Sequence, residues 1–188
     1  MPDAPIKVCG IAGSLRSGSY NKALLRAAQE LAPAGMEIRF VDRLEQIPLF
    51  DADREAMGEP EAVAALKKAI GEADALLIAT PEYNSSIPGV LKNAVDWASR
   101  AGGGKSVLAG KPAAMMGASP GMFGTVRAQL ALRQALHSTG TYVLPKPEVY
   151  VARCEGKFDA AGNLTDEPTR KAVRLLLEGL AAWAARFR

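Results

Sequence analysis

Short, almost wholly apolar runs, each followed by a Gly- and Ser-rich polar loop and then a helical pattern, recur along this chain. Ile6 to Ala12, Ala73 to Ala79 (broken only by Asp74) and Pro112 to Ala118 are too short for buried helices and too apolar for strands with a wet face. Such runs are strands covered on both sides, the signature of a parallel sheet between helical layers. Strand and helix alternate five times, which predicts a single sheet with right-handed crossovers.

The weaker elements fit this frame. Met36, Ile38 and Phe40 alternate with Glu37, Arg39 and Val41, the pattern of an edge strand. Helices are expected over 22–31, 60–70, 90–97 and 126–139, with a long irregular connection from Asp42 to Met57. Pro145 and Pro147 separate Thr141–Leu144 from Glu148–Ala152, so the last strand is broken or divided. Val173, Leu176, Leu177, Leu180, Trp183 and Phe187 form one apolar stripe on a closing helix that packs on the sheet.

With 188 residues, 48% hydrophobic and 23% charged, residues 1–188 are expected to form one domain. A net charge of +3 with dispersed Lys and Arg argues against nucleic-acid binding. No window approaches the ~20 apolar residues of a membrane span, and Met1 to Pro5 carries no basic segment with an apolar run, so a cytoplasmic protein without a membrane partner is expected. Cys9 and Cys154 have neither disulfide-framework nor metal-ligand spacing, and no metal is expected; Cys9 is read as a small core residue. Asp51, Asp53 and Glu55 are read as solvated loop carboxylates in preference to a cation site. His137, the only histidine, falls late in a helix away from any nucleophile, so His-dependent hydrolysis has no natural place.

Three loops follow central strands, where open α/β sheets place ligands. The first, residues 13–21, leads into a helix N-terminus and is suited to an anion. Gly13 and Gly18 have P-loop spacing, but Ser19 and Tyr20 stand where Lys and Ser or Thr are needed. Gly10-Ile11-Ala12-Gly13 is not the dinucleotide fingerprint either. A phosphate monoester suits the hydroxyls of Ser14 and Ser19, the guanidinium of Arg16 and the amide of Asn21. A helix capped by Ser17 or Ser19, with an exposed arginine and no ligand, fits the same residues.

The second loop, Thr80-Pro81-Glu82-Tyr83-Asn84-Ser85-Ser86-Ile87-Pro88-Gly89, is the stretch around which the chemistry is expected, with Ser85 or Ser86 capping the next helix. On that helix Lys92 and Asp96 stand four apart and can pair, or Asp96 beside Trp97 ties down a neighbouring loop. The third loop is Ser119-Pro120-Gly121-Met122-Phe123-Gly124-Thr125. A phosphorelay receiver would carry acidic residues where Ala12-Gly13-Ser14 stand.

Taken together, Gly13-Ser14-Leu15-Arg16 with Gly18-Ser19 and Asn21, Thr80-Pro81-Glu82-Tyr83-Asn84 with Ile87-Pro88-Gly89, Leu91-Lys92-Asn93-Ala94 and Asp96-Trp97 closely resemble the NADPH-dependent FMN reductase family, which includes quinone, azo-dye and chromate reductases. The resemblance runs from about Val8 to the last helix. It implies a flavodoxin-like three-layer sandwich, a five-stranded parallel sheet in order 2-1-3-4-5 with helices on both faces. It implies that Ser14, Arg16, Ser19, Tyr20 and Asn21 hold the FMN phosphate, that Pro81, Glu82, Tyr83 and Asn84 line the isoalloxazine, and that Ser119 and Gly121 approach from the other side. The flavin then carries the chemistry, with NADPH or NADH as hydride donor and quinones, azo dyes, chromate or free flavin as acceptors. The family resemblance also implies a homodimer or homotetramer, with Trp97, Met122 and Phe123 near the contact. An FMN electron carrier inactive with NAD(P)H, and a supplier of free reduced FMN, are the alternatives. For a nucleotide 2′-phosphate, Arg16, Arg100, Lys105 and Arg127 are the candidate partners.

Overall fold

The computed structural model describes residues 4–41, 43–101 and 103–188. Strands β1 (Ile6–Ala12), β2 (Met36–Val41), β3 (Ala75–Ala79), β4 (Pro112–Ala118), β5 (Tyr142–Val143) and β6 (Val149–Val151) form one sheet. All pairings are parallel, in the order β2-β1-β3-β4-β5, with β6 also on β4. The last strand is divided as expected: β5 pairs with the start of β4 and β6 with its end. Pro145 and Pro147 fall in the gap, where a missing N–H costs no ladder bond.

The helices are α1 (Tyr20–Glu30), α2 (Ala52–Ala56), α3 (Glu61–Gly71), α4 (Gly89–Ala98), α5 (Val126–Ser138) and α6 (Glu167–Ala184). Alternate strand residues feed two cores. Val8 and Leu77 pack with Leu24 of α1 and Val173, Leu176 and Leu180 of α6. Ile11, Leu76 and Ile78 pack with Val63 and Leu66 of α3, Leu91 of α4 and Leu132 of α5. The period of two along each strand therefore feeds both helical layers.

Several expectations are corrected. β3 begins at Ala75: Asp74 lies outside it, its carboxylate accepting the Lys7 N–H at 2.8 Å and an Arg188 N–H at 2.7 Å. The connection after β2 is structured, with a 3-10 turn at Leu44–Gln46 and α2. Within it, Asp51 caps α2 and Glu55 pairs with Arg100 at 2.9 Å. Neither Ser85 nor Ser86 caps α4, which starts after Pro88 with no side-chain cap. Phe187 lies beyond α6 and stacks on Tyr142 at 4.7 Å instead of joining the core stripe. Among the described residues no helix is long and apolar enough to cross a membrane.

Candidate functional site

The carboxyl ends of β1, β3 and β4 are adjacent in the sheet, so their three loops converge on one edge. After β1, Gly13 N–H still bonds Ala79 O at 2.9 Å, and the chain then leaves the ladder. The backbone N–H groups of residues 14 to 18 find no acceptor within the described chain, an arrangement of successive donors suited to an anion. Ser19 Oγ accepts from Asn21 N and Lys22 N at 3.2 and 3.4 Å, making it the N-cap of α1. Ser14 is 4% exposed, and its hydroxyl has no partner among the described residues. Arg16 is exposed, donates to Gly18 O at 2.8 Å and lies 5.8 Å from the Tyr20 ring centre.

Asn21 departs from its expected part. Only 2% exposed, it donates from Nδ2 to Ala118 O at 3.0 Å and accepts from Ala118 N at 2.9 Å. Its amide is a brace between the start of α1 and the end of β4, with the geometry of one more strand pair.

The loop after β3 is a miniature hairpin. Tyr83 and Ser86 exchange N–H···O bonds at 3.0 Å, and Asn84 and Ser85 between them have φ of 49° and 61°. Two successive left-handed residues make a type I′ turn. The N–H groups of Glu82 and Asn84 are left without an acceptor in the described chain. Pro81 is buried, while Tyr83 is exposed. Gly13 lies against α4 and the second loop: an added Cβ would stand 2.9 Å from Leu91 Cδ2 and 3.4 Å from Pro81 Cδ.

The Glu82 carboxylate leaves its own loop and reaches α5. It accepts from Arg127 N at 2.9 Å and Ala128 N at 3.3 Å, and pairs with the Arg127 guanidinium at 3.2 Å. The N-cap residue of α5, Thr125, has φ of 72° and makes no side-chain cap bond, so Glu82 supplies the cap from another loop. Thr125 is fully buried and accepts from Gln129 Nε2 at 3.0 Å. Gly117 lies against it: a Cβ there would meet Thr125 Oγ1 at 2.0 Å and Thr80 O at 2.4 Å.

Outside the hairpin, Met122 and Phe123 are exposed, with the Arg127 guanidinium 4.0 Å over the Phe123 ring. Trp97, expected near a subunit contact, is 1% exposed and donates Nε1 to Pro48 O at 2.8 Å. Asn93 joins it, accepting from Phe50 N at 2.8 Å and donating to Pro48 O at 2.9 Å. These two residues tie down the β2–α3 connection, whereas Asp96 pairs with Lys92 at 2.6 Å.

Sequence reasoning missed the roles of Asn93, Gly117 and Thr125, and saw Arg127 only as a loose cation. The one advance signal was Asn93 within its helix motif. The site offers no activated nucleophile. Burial pushes the Cys9 thiol up to about 12 and that of Cys154 up to about 11, and His137 lies exposed at the end of α5.

A family model described as NADPH-dependent FMN reductase matches residues 6–156, which takes in all three loops. The chain belongs to this family. It is 50% identical over 183 residues to an NAD(P)H-dependent FMN reductase of Pseudomonas aeruginosa, covering 97% of each chain. It is 44% identical to a 2-hydroxy-1,4-benzoquinone reductase of a Burkholderia species, covering 95% of this chain and 96% of that one. Among solved structures, FerB, a flavoenzyme NAD(P)H:(acceptor) oxidoreductase of Paracoccus denitrificans, superposes with a TM-score of 0.87 at 37% identity, covering 97% of this chain and 98% of that one. The fold is flavodoxin-like, and the chain is an oxidoreductase that works with FMN and NAD(P)H.

The residues present fit such a cofactor. A run of free N–H groups and an unpartnered hydroxyl suit a phosphate, and the free N–H groups of Glu82 and Asn84 suit the electron-rich edge of a flavin.

Proposed function

We propose that the three loops hold FMN and that the enzyme passes two electrons from NAD(P)H to quinones or other soluble acceptors. The observation that carries this reading is the convergence of two unsatisfied donor sets, residues 14–18 and the Glu82–Asn84 turn, on neighbouring strand ends. When bound, FMN would supply the two-electron redox chemistry between NAD(P)H and the acceptor.

The protein's part is binding and orientation. Ser14, Arg16 and Ser19 hold the phosphate, with Tyr20 packing beside Arg16, while Asn21 keeps the loop in register with β4. Pro81, Glu82, Tyr83 and Asn84 line the ring through backbone and packing contacts. The Glu82 and Asn84 N–H groups stabilise negative charge at the pyrimidine edge. Ser119 and Gly121 form the facing wall. No side chain is needed as acid or base, because the flavin carries the redox chemistry.

A rim of exposed apolar groups, Tyr83, Met122 and Phe123, favours flat, soluble acceptors such as quinones and is compatible with azo dyes. The quinone-reductase names of several relatives support the same class. Met122 and Phe123 are also the residues we assign to the contact of a homodimer or homotetramer. We place the enzyme in the cytoplasm, with its nicotinamide donor.

The test is an anaerobic absorption spectrum with FMN, before and after stoichiometric NADPH or NADH. Bleaching of a retained flavin band, reversed by a quinone, is expected. A bound flavin that neither nucleotide reduces would indicate an electron carrier and overturn the reductase reading. Ser14→Ala combined with Arg16→Ala is expected to weaken FMN binding about ten-fold or more; unchanged affinity refutes the phosphate assignment.

A further inference from the structure

Beside the first loop, on the side away from β3, lies a cavity of about 240 Å³. It opens at the carboxyl ends of β1 and β2, between Ala12, Val41 and the first turns of α1. No residue of the second or third loop lines it. It is smaller than the roughly 300–1,000 Å³ of a pocket for a whole drug-sized ligand, so it suits one portion of a larger molecule.

Its chemistry is divided. Leu25, Phe40 and Leu44 provide an apolar wall. Lys22, Arg26 and Arg43 also line it, with Glu45 the one carboxylate among the described residues of the lining. None of the three cations forms an ion pair among the described residues. Lys22 donates to Leu15 O at 3.3 Å and Arg26 to Gly162 O at 3.4 Å, contacts that hold the side chains without neutralising them. Ser14, buried and with an unpartnered hydroxyl, stands in the same wall. The described lining therefore carries a net positive charge, which raises the local affinity for an anion.

We infer that this cavity takes the 2′-phosphoadenosine end of NADPH, with Lys22, Arg26 and Arg43 on the phosphate and the apolar wall against the base. The inference rests on the reductase reading above. A 2′-phosphate needs a cationic partner, and the four cations that the sequence put forward for it are paired or placed elsewhere. Arg100 is paired with Glu55, and Arg127 with Glu82. Lys105 lies beside Gly110 and Pro112 at the opposite end of the sheet, and Arg16 belongs to the FMN phosphate loop. The cavity and the flavin cleft share the carboxyl end of the sheet with only the 14–18 loop between them, so one extended dinucleotide reaches both.

The test compares wild type with Arg43→Gln and with Lys22→Gln, both as FMN-loaded protein with matched melting temperatures. The KM for NADPH is expected to rise about ten-fold, as for loss of a charge-assisted contact, with the KM for NADH and the affinity for FMN unchanged. In calorimetry without turnover, 2′,5′-ADP is expected to bind wild type more tightly than 5′-AMP and to lose that advantage in both variants. Equal changes for NADPH and NADH, or no preference of wild type for 2′,5′-ADP, would overturn the inference. A fall in FMN affinity would assign the cavity to the flavin phosphate and overturn it too. If neither nucleotide reduces the flavin but the 2′,5′-ADP preference survives and depends on Arg43, the reductase reading fails and the nucleotide subsite stands.

Discussion

The carboxylate of Glu82, in the loop after β3, holds the Arg127 backbone N–H at 2.9 Å and its guanidinium at 3.2 Å. One side chain thus caps α5 and joins the loop after β3 to the end of the loop after β4, the two loops proposed to flank the flavin. Glu82→Ala is expected to cost about 1–2 kcal/mol, the range for a lost N-cap, and to weaken FMN binding because the gap between the two loops is no longer held. Glu82→Gln keeps an acceptor and should recover part of both losses. Denaturant unfolding and flavin titration of the two variants check this; equal behaviour of Ala and Gln would mean the cap does not matter.

Asn21 reproduces a strand partner for Ala118, supplying both a donor and an acceptor in a buried place. Asn21→Ala leaves an N–H and a C=O buried and unpaired, at about 1–3 kcal/mol each before relaxation or water entry. A loss of about 3 kcal/mol, seen as a lower denaturant midpoint at constant m, is expected. Asn21→Asp keeps the acceptor only and should fall between.

Gly117 admits no side chain. A Cβ would stand 2.4 Å from the Thr80 carbonyl, a backbone atom that cannot swing aside. Gly117→Ala is therefore expected to destabilise by about 3 kcal/mol or more, as overpacking of a rigid site does. Thr125→Ser, which removes a methyl group but leaves the Thr80 contact, should not rescue it. A thermal melt of the double variant settles the point.

Asp166 caps α6, accepting from Thr169 N at 3.0 Å and from Lys157 Nζ at 3.1 Å. The Thr169 hydroxyl bond, with help from Lys157, holds its pKa below the ordinary carboxylate value. A lowered folded pKa means the stabilisation is full above the unfolded value of about 3.9 and is lost as pH falls through the folded one. Asp166→Asn should then be less stable than wild type at neutral pH, with the difference shrinking below about pH 4. Melting temperatures across that range measure it.

What was legible in the sequence was what depends on neighbours along the chain. Apolar runs such as Ala73 to Ala79 announced central strands, this one forming over Ala75–Ala79, and Met36–Val41 announced an edge. Pro145 and Pro147 announced the divided last strand, and Ser19 was readable as a cap. Periodicity, proline chemistry and capping act within a few residues, so they leave their mark locally. The alternation of strand and helix, and polar loops after the central strands, followed from these; the strand order was implied only by the family resemblance.

Tertiary structure alone decided what each polar side chain does there. Asn21 and Ala118 are 97 positions apart, Glu82 and Arg127 45, and Trp97 and Pro48 49. Such bonds form only after the crossovers bring separate strand ends together, and no local pattern distinguishes an amide that binds a ligand from one that braces a backbone. The same holds for Lys22, Arg26 and Arg43, which become one charged wall only because β2 pairs beside β1 and α1 crosses above them. Hydrogen bonds and charges act through space over a few ångströms, whatever the distance along the chain.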